Sequence, residues 1–249
     1  MEIVFFWSSY ITRFVGGRGK VALAMKCFFK EMRTDLQLQA RRSQQMLSIK
    51  IVAVGDSKIG KSTLLRNLET KKFKTELPQI LDDYIPVVLD EISVQSVTPE
   101  GLPCNLSLWD TPGHTGEYGT TRPLHYPNTD IFLVCFSTVD SKSLENVTRQ
   151  WIPEINYWEP GTPFLLVGTK TDLRQDRETL DSLAKKNESA ISLEEGSAAA
   201  KEIGAEGYLE CSSLTMKGVE NVLEKAVVKA LKQREKCDNE KKRKRCLIA

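Results

Sequence analysis

An α/β domain with a mostly parallel sheet flanked by helices is what the sequence predicts, on three observations. Short, continuously apolar runs recur between residues 49 and 211, helical patterns fill the intervals, and a glycine-rich turn joins the first run to the first interval. Strands alternating with helices imply a sheet whose ligands lie beyond the strand carboxyl ends. The domain is expected over 46–232, with an extension over 1–45 and a flexible polybasic tail over 233–249.

The elements follow in order. IKIVAV (49–54) is an apolar run stopped by Gly55, a buried-strand signal, and KSTLLRNLE (61–69) reads as a helix. VVLDEISVQSV (87–97) and NLSLWD (105–110), separated by the turn-like PEGLP, resemble a hairpin. DIFLVCFS (130–137) is a further buried strand, and 141–158 is helical. PFLLVG (163–168) is a strand, GSAAAKEIG (196–204) a helix closed by Gly204, and YLEC (208–211) a strand. An amphipathic helix over 219–232 ends the domain.

Composition narrows the class. With 41% hydrophobic and 27% charged residues the chain reads as globular rather than disordered, and no apolar run is long enough to span a membrane. A net charge of +2 gives no argument for nucleic acid, but its distribution is uneven: residues 1–45 hold eight Lys/Arg against three acids, and 241–245 are all basic. Both ends are candidates for an anionic surface. The six cysteines show neither a CxxC pair nor metal-ligand spacing, and Cys135 and Cys211 sit in apolar runs as buried, reduced thiols. Residues 1–45 lack the basic start and clean cleavage site of a signal peptide. They are expected to be poorly ordered, with a transit peptide or an interfacial helix as alternatives.

GDSKIGKS (55–62) fits G-x4-G-K-[ST] between a strand and a helix, the context that this motif requires. Consecutive backbone N–H groups from Gly55, Asp56, Ser57, Lys58, Ile59 and Gly60, with the helix N-terminus at Lys61, Ser62 and Thr63, would wrap a chain of phosphates. Lys61 would neutralise them, and the Ser62 hydroxyl would reach Mg²⁺. Asp110 closes a strand and would hold the metal through water. Gly113 can offer its N–H to a γ-phosphate because no side chain blocks the approach. In GTKTD (168–172), with Thr169, Lys170 and Asp172, the Asp carboxylate suits two N–H donors on the guanine edge. The Lys170 stem would lie over the base.

GDSKIGKS, WDTPG, GTKTD and ECSSL (210–214), in this order and spacing, resemble a Ras-type small GTPase. YIPVV (84–88), RPLHYPNTDIFLVCFS (122–137), QWIPEI (150–155) and AKEIGAEGYLECS (200–212) are similar to the Rho family, and Trp109 to its Rac branch. The resemblance covers 46–249 and implies a P-loop fold with a six-stranded, mostly parallel sheet and a helical insertion near 174–188. It also implies a GTP/GDP switch with Mg²⁺, with Phe73 packing on the guanine edge and Ser212, Ser213 and Leu214 beside the base. Exchange factors, GTPase-activating proteins, GDP-dissociation inhibitors and downstream kinases or actin regulators are the implied partners of a monomeric protein. MLSIKIVAVGD from Met46 aligns with how Rac proteins begin, so 1–45 is expected to be an upstream extension.

Four departures from the family pattern touch the γ-phosphate. Ser57 stands where Gly is usual and crowds an incoming arginine finger. Val87 stands where a switch Thr binds Mg²⁺ through its hydroxyl, so a metal ligand is lost while the N–H is kept. Pro112 replaces Ala and removes a backbone donor. His114 replaces the Gln that orients water. Three readings of His114 stand: it positions water, as in the similar D-x-P-G-H run of translational GTPases; it slows hydrolysis; or it is an exposed loop residue. Slow turnover and poor stimulation by activating proteins are expected, with a constitutively GTP-bound scaffold as the alternative. The first switch also carries an insertion, KTELPQI, which leaves the placement of Val87 open, and Asp90 resembles the effector edge.

CLIA (246–249) fits C-a-a-X, with Cys246 the prenylation site and Ala leaning towards farnesyl. One prenyl chain binds a membrane weakly, and the five basic residues 241–245 supply a second signal, up to ~5 kcal/mol at roughly 1 each. Nuclear targeting competes for KKRKR. The expected location is the cytoplasmic face of a membrane, with a cytosolic pool.

Overall fold

The computed structural model describes residues 47–70, 91–97, 103–113 and 121–248. The expectations placed on 1–46, Phe73, Val87, Asp90, His114 and the first-switch insertion lie outside these residues, as do those on the side chains of 241–246.

Six strands form one sheet in the order β2-β3-β1-β4-β5-β6. β1 (Leu47–Val54), β4 (Ile131–Ser137), β5 (Phe164–Thr169) and β6 (Tyr208–Glu210) run parallel, and β3 (Pro103–Asp110) pairs parallel with β1. Only β2 (Glu91–Val97) is antiparallel, hydrogen-bonded to β3 as the expected hairpin. The strand order reverses at β1, and β1 ends at the glycine-rich turn. A site beyond the carboxyl ends of β1 and β3 follows from that topology.

Every second residue of the central strands serves a different core. Ile49, Ile51 and Ala53 of β1 join Ile131, Leu133 and Cys135 of β4 in one cluster, with Leu64 and Leu65 of α1 (Lys61–Thr70). Val52 and Val54 join Phe132, Val134, Phe136, Trp151 and Ile155 in the other. Burial on both faces explains why these strands are apolar without alternation. Truncating a fully buried leucine such as Leu133 to Ala would cost about 2–5 kcal/mol.

The helical stretch 141–158 is not uniform. α2 (Ser141–Asn146) begins at Asp140, whose side chain accepts from Ser143 N–H. Val147–Trp151 then widens into a π turn before α3 (Ile152–Trp158), with Ile152 N–H bonded to Val147 O. Pro153 follows directly and has no N–H to give, so the regular ladder is interrupted there in any case.

The charged insertion forms α4 (Arg177–Lys185), capped by Asp176, which accepts from Thr179 N–H at 2.9 Å. α5 (Leu193–Glu202) begins three residues earlier than the expected start at 196, because Ser192 and Glu195 form a reciprocal capping box.

At the carboxyl end the last helix runs on past the expected end at 232: α6 spans Val219–Ile248. Nothing between 219 and 248 is Gly or Pro, and Lys, Glu, Arg and Gln sustain a helix after its apolar stripe has ended. Arg234 also ties this helix to the sheet, pairing with Asp130 and donating to Ser48 O at 2.6 Å. No helix among the described residues is long and apolar enough to cross a membrane. Cys104, Cys135 and Cys211 are buried free thiols, and burial pushes Cys211 up to about 12.

Candidate functional site

The turn from β1 into α1 is built for inward-pointing N–H groups. Its backbone passes through positive φ at Gly55 (143°), Lys58 (62°) and Gly60 (103°). Gly55 has no freedom to be anything else: a Cβ there would fall 2.3 Å from Cys135 O. At Gly60 a Cβ would meet nothing within 4 Å, so the backbone faces open space on that side. Lys58 bears the strain of a left-handed residue, and its carbonyl accepts from the Lys170 ammonium at 2.6 Å. Lys170 is itself left-handed (φ 59°), at the end of β5. The GTKTD turn is thereby fastened onto the phosphate loop.

A cleft of about 260 Å³ opens at this point. One wall is Ser57, Lys58, Gly60, Lys61, Ser62 and Thr63; the other is Thr111, Pro112 and Gly113, with Lys170 at the side. Lys61 is buried, 5% exposed, and donates to Gly55 O at 2.8 Å and Asp56 O at 2.7 Å. Burial lowers its pKa to about 8, against the opposing pull of Asp110. Two carbonyls hold the buried ammonium, and a phosphate group would add a charge-assisted partner. Asp110, 3% exposed at the end of β3, lies close enough to Lys61 to act on its charge.

The second wall is held from behind. Thr111 donates its hydroxyl to Ala53 O at 2.6 Å, and Pro112 O accepts from Arg122 Nη1 at 2.7 Å. Gly113 touches the phosphate loop so closely that a Cβ would lie 2.2 Å from Ser57 N.

Eight of the expected residues thus line one cleft: Ser57, Lys58, Gly60, Lys61, Ser62, Thr63, Gly113 and Lys170. Others serve it differently from the sequence expectation. The Asp56 carboxylate turns away, accepting from Asn146 Nδ2 and Trp151 Nε1, both at 2.7 Å. The Ile59 side chain is in the core, leaving only backbone for a ligand. Thr169 is buried and donates its hydroxyl to Ile59 O at 2.5 Å, so it braces the loop rather than facing a base. Asp172 lies in the turn after β5. Beside that turn, Thr171 N–H bonds to Cys211 O and Asn67 Nδ2 holds Ser213 O at 2.8 Å. Ser212 is buried, its hydroxyl accepting from Thr215 N–H, and Leu214 is exposed. Sequence reasoning missed Thr111 as a lining residue, and missed Arg122, Tyr126, Asn146, Trp151 and Glu154 behind the cleft.

A glycine-rich strand-to-helix turn with a buried lysine, facing an acidic strand end across a cleft at the sheet's switch point, defines a P-loop nucleotide-binding domain. The family model that matches is the Ras family, over residues 50–232. The chain belongs to the Ras family of small GTPases, GTP-binding switches that hydrolyse GTP and interact with exchange factors, activating proteins and effectors. Such proteins bind guanine nucleotide and typically Mg²⁺. The residues here fit both: the backbone cradle and Lys61 suit the phosphates, and Ser62 with Asp110 would hold the metal, which offsets phosphate charge.

Proposed function

We propose that this protein is a Rho/Rac-like switch that holds GTP well and hydrolyses it slowly. The observation carrying this reading is the contrast between the two walls of the cleft. The wall that would grip the α- and β-phosphates keeps its glycines, Lys61 and Ser62. The opposite wall, which would meet the γ-phosphate, carries Pro112, Ser57 stands on the rim of the phosphate loop facing it, and Val87 and His114 are altered in the sequence. Ser57 lies beside Gly113, where an arginine finger would enter. Unassisted Ras-type turnover is on the order of 10⁻⁴–10⁻³ per second and an arginine finger adds ~10³–10⁵, so losing the finger outweighs any tuning by His114.

Subfamily placement rests on YIPVV, QWIPEI and the insertion that forms α4, and implies control of actin and cell shape through kinases or actin regulators. GDP-dissociation inhibitors belong to the same picture. Cys246 in CLIA and the basic run 241–245 support prenylation and anchoring to an anionic cytoplasmic membrane face. The second reading is a constitutively GTP-bound scaffold, favoured by the loss of the Thr oxygen at Val87.

Single-turnover GTP hydrolysis with and without a Rho-type activating protein tests the proposal. The expected result is slow decay with little stimulation, and at least tenfold more stimulation in Ser57→Gly, about the first of the several decades at stake. Robust stimulation of the unaltered protein would refute it. Nucleotide release that is indifferent to EDTA, with no measurable turnover, would select the scaffold.

A further inference from the structure

Behind the cleft, one helical stretch holds both of its walls. Arg122 is 2% exposed and grips Glu154 with two prongs, Nε to Oε1 at 2.7 Å and Nη2 to Oε2 at 2.6 Å. Its third contact is the Pro112 carbonyl at 2.7 Å, and its guanidinium lies 4.6 Å over the Trp151 ring. Tyr126 donates its hydroxyl to Glu154 Oε1 at 2.5 Å. On the other side, Trp151 and Asn146 hold the two oxygens of Asp56 in the phosphate loop. Trp151 comes five positions after Asn146, and a regular α-helix would set them about 140° apart at ~100° per residue. The π turn over Val147–Trp151 brings them onto one side, where both reach the same carboxylate.

The circuit closes at Gly113, whose α-carbon packs on the Asp56–Ser57 peptide. Pro112 C=O and Gly113 N–H belong to one planar trans peptide and point in opposite directions. A donor fixed on the carbonyl therefore fixes the direction of the N–H.

We propose that Arg122 and Glu154 are positioning residues for recognition of the terminal phosphate: they set the orientation of the 112–113 peptide, and the Asp56–Trp151 bond sets its height above the phosphate loop. This rests on the reading of Gly113 N–H as a γ-phosphate contact. Glu154 does not line the cleft. It holds Arg122 in place, and through it the carbonyl. Since GDP lacks the γ-phosphate, the network should matter for GTP and not for GDP, whereas a merely structural role would weaken both.

The test is the affinity of the full chain, with Mg²⁺, for GDP and for a non-hydrolysable GTP analogue. Glu154→Gln is expected to weaken the analogue about tenfold, the scale of one hydrogen bond, while GDP stays within about twofold. Gly113→Ala is the reference and should lower the analogue-to-GDP preference at least as much. Equal changes for both nucleotides in Glu154→Gln, or none, would overturn the proposal while a selective loss in Gly113→Ala keeps the Gly113 reading. No selective loss in Gly113→Ala would remove that reading and the proposal with it. Should Glu154→Gln not fold, Tyr126→Phe decides by the same ratio. Removing one hydroxyl from Glu154 should give about a threefold selective loss, and its absence overturns the proposal.

Discussion

The buried ammonium of Lys61 makes nucleotide binding a proton-coupled event. In the free protein its pKa is lowered from 10.5 to about 8, because burial disfavours the charge more than Asp110 restores it. Phosphates placed against it favour the charged form and raise the value again. At pH 8 about half of the free molecules then carry neutral Lys61, and binding takes up about half a proton. Affinity falls as pH rises: the neutral fraction alone weakens binding about fourfold between pH 7 and pH 8.5. The sign for stability is opposite. A lysine whose folded pKa lies below its unfolded one binds fewer protons in the folded state between about 8 and 10.5. The nucleotide-free fold therefore gains stability with pH across that window, by about 3 kcal/mol in total at 1.36 kcal/mol per unit. Calorimetric titration with GDP at pH 8, in two buffers of different ionisation enthalpy, reads the proton uptake. Lys61→Arg, which cannot lose its proton, should abolish it. Zero uptake in the unaltered protein, or a flat affinity from pH 7 to 8.5, would refute the reasoning.

Two further outcomes concern the far side of the sheet. A Cβ at Gly196 would lie 2.2–2.5 Å from the Tyr208 ring, so Gly196→Ala should cost about 1–3 kcal/mol by overpacking, seen as a melting temperature lower by several degrees. Arg174 grips Glu210 at 2.6 and 2.9 Å, and although burial raises the Glu210 pKa, that grip and the Tyr208 hydroxyl outweigh it and hold the pKa below its ordinary 4.5. The stability it contributes is present above the unfolded pKa and is lost as pH falls through the folded one. Glu210→Gln should therefore be less stable by about 1–3 kcal/mol at pH 7, with the gap closing below pH 4.5 in denaturant titrations.

The parts of this fold legible in sequence are those coded locally. β1, β4 and β5 announce themselves because burial on two faces leaves few polar positions, and the phosphate loop because its glycines answer to backbone geometry within eight residues. α6 shows the limit of periodicity. Its apolar buried positions Val219, Val222, Ala226, Val227 and Ala230 end before 232, while the helix continues with polar ties such as Arg234 to Asp130 and with residues of high helix propensity. Periodicity reports burial, and the backbone helix runs on past the last of these buried positions. The start of α5 is coded locally by Ser192 and Glu195, ahead of the alanine run that marks the helix body. The network behind the cleft had no such signal: Arg122 and Glu154 are 32 residues apart and Asp56 and Trp151 are 95 apart. Singly they read as a surface pair and a core tryptophan, and only the sheet brings them together.

The same geometry explains how holding a nucleotide and cutting it can come apart in one small domain. Affinity for the inner phosphates is fixed by the loop 55–62, whose shape is set by Cys135 O, Thr169 and Lys170 from the strands beneath. None of these contacts passes through residues 112–114. The γ-phosphate side is different, since the 112–113 peptide is hung from Arg122 and pressed against Ser57 N. Ser57 and Pro112 therefore stand where the two loops meet, Pro112 outside the loop that grips the inner phosphates and Ser57 at its edge. Pro112 has lost its own N–H but keeps the carbonyl that Arg122 needs, and its fixed φ narrows the ways that peptide can turn. On the proposed reading, alteration at these positions would slow hydrolysis while the anchor for the inner phosphates is kept.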